Sequence, residues 1–283
     1  MLKYRIISFP LLLALAFAAV LWQPYGSWLL ALLSLSVTAA AVWECCNIAA
    51  RLSLPTVRSA ACLAAMLAMI KYGWGAVLTD FRAVLPGGET IMAGLLVLLM
   101  LVALLSRDRE KAVKAALATP GVVLLALLPV LALARIYFEF GEMTFLALVL
   151  ATKAADTGGY IVGMLSNKLM KNGNHKIVPA ISPKKSWEGT IGAMVFSIVT
   201  ALLLGHWECI TLPCWVAVLF GFGAFLGSFA GDLTESQLKR AADIKDSGHW
   251  LPGMGGILDL IDSFIYNAPL FYLALASGVI ICQ

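Results

Sequence analysis

Apolar runs of about 20 residues recur along the whole chain, and they constrain its fold more than any other feature. A run of that length crosses the roughly 30 Å of bilayer hydrocarbon as a helix. About nine runs are legible, at roughly 6–22, 27–50, 59–79, 90–106, 119–136, 143–165, 189–205, 213–231 and 255–282. The expected class is all-α: a polytopic integral membrane protein with about nine transmembrane helices. Composition agrees, with 61% hydrophobic and 13% charged residues and a mean hydropathy of +0.91. Little of the 283 residues remains for a soluble domain, and neither a repeat nor a low-complexity tail is evident. Residues 1–118 read as N-terminal transmembrane helices, and 119–283 as the C-terminal helices carrying the polar segments, in one membrane-embedded unit.

Basic residues orient the chain. Lys3 and Arg5 precede an apolar run ending in small residues, as in a secretory signal, but the weight of later spans favours an uncleaved first span. With the N-terminus cytoplasmic, only Arg82 and Arg135 fall on the far side, and Lys71 and Lys153 lie within spans. All the other Lys and Arg fall in cytoplasmic segments, the positive-inside pattern. The net charge of +4 therefore reads as loops facing an anionic leaflet or anionic substrates, with no nucleic-acid partner. The cysteines form no metal pattern. Cys45, Cys46, Cys62 and Cys282 are expected to be buried thiols; Cys209 and Cys214 lie near the outer face, where spacing alone does not establish a disulfide.

Polar islands are costly in such a chain, so each is a candidate site. In ATKAADTGGY, residues 151–160, Lys153 and Asp156 share a helix face; a structural ion pair and a cavity wall reaching phosphates or metal are both open readings. Gly158 and Gly159 suit close helix packing. The loop 166–188 crowds five lysines and His175, and Ser182-Pro183 reads as an N-cap and first helical position. That start would aim free amides, with Lys184 and Lys185, at one anion. Gly223, Gly227 and Gly231 form a packing stripe that ends in Asp232. Asp232, Ser236, Lys239 or Arg240, Asp243 and Asp246 would line one face of a helix broken at Leu251-Pro252-Gly253. Asp259 and Asp262 open the last span three residues apart. Their economical partner is a hard cation such as Mg²⁺; pairing with Lys239, Arg240 or Lys245, or proton relay, are the alternatives. No GxSxG elbow, HExxH or P-loop is present.

Residues 236–262, SQLKRAADIKDSGHWLPGMGGILDLID, resemble the signature of the phosphatidate cytidylyltransferase (CDP-diacylglycerol synthase) family: S-x-x-K-R, four residues, K-D, then L-P-x-H-G-G and D-R-x-D. Upstream, DTGGY from Asp156, SPKKSWEG from Ser182 and GDLTES from Gly231 also look like the family. The similarity covers roughly the C-terminal half; the N-terminal half matches only as apolar helices. Met254 stands where the family usually has His, and Leu260 where it has Arg.

The resemblance implies an all-helical membrane enzyme, usually a homodimer, that joins CTP to phosphatidate with Mg²⁺ and a monovalent cation such as K⁺ beside it. It places the protein in a bacterial inner membrane with its site open to cytoplasmic CTP. Carried over residue by residue, Asp232 and Asp259, with Asp262, would hold metal. Lys239, Arg240 and Asp246 would join Asp232 and Asp259 in catalysis, and Ser182, Lys184, Lys185, Ser236, Lys245 and Asp156 would bind substrate. Two other readings stay open: a transporter using Lys153, Asp156, Asp259 and Asp262, and a CTP-dependent enzyme acting on another lipid phosphate.

Overall fold

The computed structural model describes residues 14–22, 25–74, 97, 101, 108–171, 173–206, 213–250 and 255–278. Outside the helices, Lys176 and Ser186 pair in an isolated antiparallel bridge. After a helical stretch at 14–21, the elements are α1 (Tyr25–Arg51), α2 (Arg58–Ala68), α3 (Arg109–Phe140), α4 (Glu142–Leu169), α5 (Trp187–His206), α6 (Cys214–Ala241), α7 (Leu258–Ile261) and α8 (Phe264–Ala276). Five are long and apolar enough to cross a membrane: α1, α3 from Glu110, α4, α5 and α6. The expected run 90–106 lies outside the described residues apart from 97 and 101, as do residues 6–13 of the first run and the orienting Lys3, Arg5, Arg82 and Arg107.

Two expected spans are not single α-helices. The run at 59–79 begins as α2 and continues as a π-helical turn over Met69–Gly73. The run at 255–282 divides into the four residues of α7, a turn at Asp262 and Ser263, and α8. At that turn Asp262 Oδ1 accepts the Ser263 amide at 2.6 Å, a local bond that competes with helix continuation.

The chain forms two compact units: Met1–Glu139 with Leu238–Ile261, and Phe140–Gln237 with Asp262–Gln283. The first has a core of small and branched side chains, including Ala41, Val42 and Cys46 of α1, Ala61 and Ala65 of α2, Leu127 and Val130 of α3, and Leu258 and Ile261 of α7. Small residues let helix backbones approach closely, which supplies packing where lipid weakens the hydrophobic drive.

In the second unit α4 and α5 meet through glycines. A Cβ on Gly158 would meet Phe196 at 2.5 Å, and one on Gly192 would meet Val162 at 2.5 Å. Gly159 faces Ala193 and Gly189, so Gly158 and Gly159 do serve helix packing. α5 does not begin at Pro183. Lys185 is held in the extended bridge segment, where its carbonyl accepts the Ile177 amide at 3.2 Å. Ser186 takes the capping role instead: its Oγ accepts the Gly189 amide at 3.2 Å.

Candidate functional site

In the second unit, one helical turn brings Lys153 and Asp156 onto the same face of α4. Lys153 Nζ lies 2.9 Å from Asp156 Oδ2 and donates to Ser263 Oγ at 2.8 Å. It also sits 5.1 Å from the Phe264 ring centroid. Asp156 accepts Ser228 Oγ of α6 at 2.5 Å and Ser263 Oγ at 3.2 Å. The pair is therefore fastened by hydroxyls from two other segments, as a charge pair away from water requires.

One turn beyond Ser228, Asp232 Oδ2 lies 3.2 Å from Lys185 Nζ. Lys185 also donates to the Phe229 carbonyl at 3.2 Å and stands 4.3 Å from that ring's centroid. Asp262 adjoins Ser263, whose hydroxyl meets both Lys153 and Asp156, and its carbonyl lies against Gly231, next to Asp232, so three carboxylates and two ammonium groups make one charged neighbourhood. Glycines permit this crowding. A Cβ on Gly231 would strike the Asp262 carbonyl, and one on Gly227 would strike Asn267. Asn267 in turn donates to Thr152 Oγ1 at 3.2 Å and to the Ala224 carbonyl at 2.8 Å. Gly223, the third glycine of the expected stripe, has no atom of the described residues within 4 Å of its would-be Cβ.

Ser182 is half-buried in the turn before the bridge, its carbonyl accepting the Lys185 amide at 3.2 Å, and Lys184 is exposed beside it. Neither begins a helix, so the expected array of free amides at Ser182 is absent. Ser236 is half-buried on α6. Lys168, Lys171 and Lys176 are exposed, as expected of a solvated loop.

The first unit holds the other part of the signature. Asp259, on α7, receives Lys239 Nζ on Oδ1 at 2.7 Å, and on Oδ2 the amides of Ser247 at 3.0 Å and Gly256 at 2.7 Å. Gly255 has φ +99°, and a Cβ there would strike Asp259 Oδ2, so both backbone shape and space demand glycine. Arg240, Lys245 and Asp246 are exposed. Asp243 and Asp246 do not continue the polar face of α6. That helix ends at Ala241 in a Schellman turn, with Asp243 at φ 52° and the Ile244 amide on the Lys239 carbonyl at 2.9 Å. Leu251, Pro252, Gly253 and Met254 lie outside the described residues. Leu260, in the place of the usual Arg, packs against the core of this unit.

Sequence reasoning passed over Glu44. It lies in α1 at 1% exposure and accepts Ser247 Oγ at 2.8 Å, the Ile257 amide at 2.9 Å and the Leu258 amide at 2.8 Å. The available signal was a carboxylate inside an apolar run, the same signal that singled out Lys153 and Asp156. Cys45 and Cys46 are buried and Cys62 is half-buried; Cys214 is exposed, while Cys209 and Cys282 lie outside the described residues.

The acidic donors suit a hard cation. Asp232 and Asp262 offer carboxylate oxygen with no thiolate or imidazole among the neighbours named above, which matches Mg²⁺ and not a softer metal. Among the described residues no three His, Cys, Asp or Glu side chains form a ready cage. Mg²⁺ is compatible with that, because it commonly takes one or two carboxylates and completes its shell with water and substrate phosphate.

Comparison with known proteins finds relatives that match part of the chain. Over 133 residues it is 40% identical to the phosphatidate cytidylyltransferase of Mycobacterium bovis, covering 47% of this chain and 41% of that protein. Over 93 residues it is 50% identical to phosphatidate cytidylyltransferase 4, chloroplastic, of Arabidopsis thaliana, covering 33% and 24%. Over 120 residues it is 40% identical to the phosphatidate cytidylyltransferase of Staphylococcus haemolyticus, covering 42% and 44%. These matches span less than half the length of each relative. The family model described as "Cytidylyltransferase family" matches residues 3–277, nearly the whole chain, and to that family the chain belongs.

Proposed function

We propose that this protein transfers a cytidylyl group from CTP to phosphatidate, giving CDP-diacylglycerol and pyrophosphate. The observation that carries the reading is the charged neighbourhood of Asp156, Asp232, Asp262, Lys153 and Lys185, set among helices long and apolar enough to cross a membrane. Such a site can serve a water-soluble triphosphate and a lipid whose chains stay in the bilayer. The relatives' names supply the two substrates.

The phosphatidate phosphate is already anionic, so its oxygen can attack the α-phosphorus of CTP in line without a general base. The attack forms the new P–O bond, and pyrophosphate leaves as the α–β bridge breaks. Catalysis is then positioning and charge neutralisation. In this reading Lys185 exchanges Asp232 for a phosphate oxygen, and Lys239 does the same from Asp259. Lys184, Lys245 and Arg240 screen the repulsion between two anionic substrates, and Ser182 and Ser236 donate hydrogen bonds. Asp246 supports the basic residues, and Asp156 holds Lys153 in place. Mg²⁺ is assigned to Asp232 and Asp262, with Asp259 as the further carboxylate of the motif and a monovalent cation beside it; bound there, the metal neutralises charge on the phosphates. The reading also includes about nine spans, a cytoplasmic N-terminus, a bacterial inner membrane, a cytoplasm-facing site and a homodimer.

Purified protein in mixed micelles, given labelled CTP and phosphatidate, is expected to form CDP-lipid, to stop on chelation and to restart with Mg²⁺. Asp232→Asn and Asp259→Asn should insert normally and lose turnover. A wild-type sample that releases no pyrophosphate from CTP with any lipid phosphate would end this proposal, and product from another lipid phosphate alone would redirect it.

A further inference from the structure

Glu44 is a buried acid from the N-terminal part of the chain, and all of its described partners lie in the polar segment two hundred residues away. Its oxygens take the Ser247 hydroxyl on one side and the Ile257 and Leu258 amides on the other. The backbone closes around them: a Cβ on Gly248 would strike Glu44, as would one on Gly256. Glu44 thus clamps Ser247 to the Ile257–Leu258 backbone. Ser247 and Gly256, the latter next to Ile257, supply the two amides that meet on Asp259 Oδ2. Three donors on one buried carboxylate satisfy it, and removing the carboxylate leaves three donors stranded.

We infer that Glu44 is a positioning residue for Asp259: it holds together, as a neck, the Ser247 and Gly256–Leu258 segments whose two amides aim that carboxylate. This rests on the proposed cytidylyl transfer, because only there does the aim of Asp259 matter to turnover. Glu44 touches no substrate. It acts by setting the distance between Ser247 and Gly256, and a misplacement of about 1 Å can cost on the order of 100-fold in rate.

The test uses Glu44→Gln, which keeps size and shape but sets an amide donor against backbone donors, and Ser247→Ala, which removes one bond to Glu44 and keeps the amide that Asp259 uses. Leu127→Ala, in the core of the same unit, serves as a destabilised control. Two readouts are taken in lipid nanodiscs. Hydrogen exchange at Ser247 and Gly256–Leu258 should quicken about tenfold or more in Glu44→Gln, less in Ser247→Ala, and not selectively in Leu127→Ala. The kcat should fall about 10- to 100-fold in Glu44→Gln with KM for CTP within about threefold, while Leu127→Ala keeps its kcat.

Unchanged exchange at the neck in Glu44→Gln, or faster exchange with full kcat, overturns the inference. If Glu44→Gln does not fold, Ser247→Ala decides on the same two measures. A wild type inactive on CTP defeats the proposed function instead, and the exchange measurement still shows whether Glu44 closes the neck.

Discussion

At the scale of single residues, three of the candidate carboxylates already carry ammonium partners: Asp156 with Lys153 and Asp232 with Lys185 in the second unit, and Asp259 with Lys239 in the first. Each pairing keeps an ionised group tolerable away from bulk water, and each can be traded for a phosphate or a metal. Lys185 illustrates the trade. It leans on the Phe229 ring and carbonyl as well as on Asp232, so its position survives loss of the carboxylate contact. Lys185→Ala is therefore expected to lower kcat/KM for CTP about 100-fold while the helices still form. Steady-state kinetics at varied CTP decide it, and wild-type kcat/KM in that variant would remove Lys185 from the site. The Lys153–Asp156 contact was legible from i,i+3 spacing alone. Its fastening by Ser228 and Ser263 was not, because those hydroxyls arrive from distant sequence. Glu44 itself was visible as a carboxylate in an apolar run, but its partners were not, because they lie over two hundred residues away, beyond any local pattern.

At the scale of elements, the long apolar helices were readable because hydrocarbon thickness fixes their length. Their ends were not. Ser182-Pro183 has helix-start chemistry, yet bridge pairing at Lys176 and Ser186 moves the start to Trp187. The polar repeat Asp232–Ser236–Lys239–Asp243 suggested a continuing helix, yet Asp243 adopts a left-handed conformation that Asp tolerates better than most residues. A glycine stripe likewise says nothing of which glycines touch a neighbour. Here the structure separates them, and two variants of one helix test the separation. Gly231→Ala should destabilise by about 1–3 kcal/mol, because its methyl meets the Asp262 backbone, which has little room to yield. Gly223→Ala should be neutral or stabilising by up to about 1 kcal/mol, because its methyl enters open space in a helix interior. Thermal midpoints of both in one detergent compare them. Equal shifts would mean that the stripe packs uniformly, against the geometry found for α6.

At the scale of the molecule, α6 is the element that turns local geometry into a statement about sides. Its 28 residues from Cys214 to Ala241 extend about 42 Å, more than the roughly 30 Å of hydrocarbon. Its two ends therefore belong to opposite faces if it spans. Cys214 marks one end and is exposed; Lys239 and Arg240 mark the other. In the proposed orientation, with positive charge retained on the cytoplasmic side, the Lys239 end would lie inside and Cys214 outside. A membrane-impermeant maleimide added to right-side-out vesicles should then label a variant whose sole cysteine is Cys214. A variant lacking all native cysteines but carrying Lys245→Cys should be labelled only after the vesicles are inverted. The proposed reaction needs this arrangement, because CTP is cytoplasmic and Lys239 reaches Asp259 from the same end of α6. Labelling of both cysteines from one face would mean that α6 does not span, and the site would then lose the interface that lets one substrate stay in lipid while the other arrives from water.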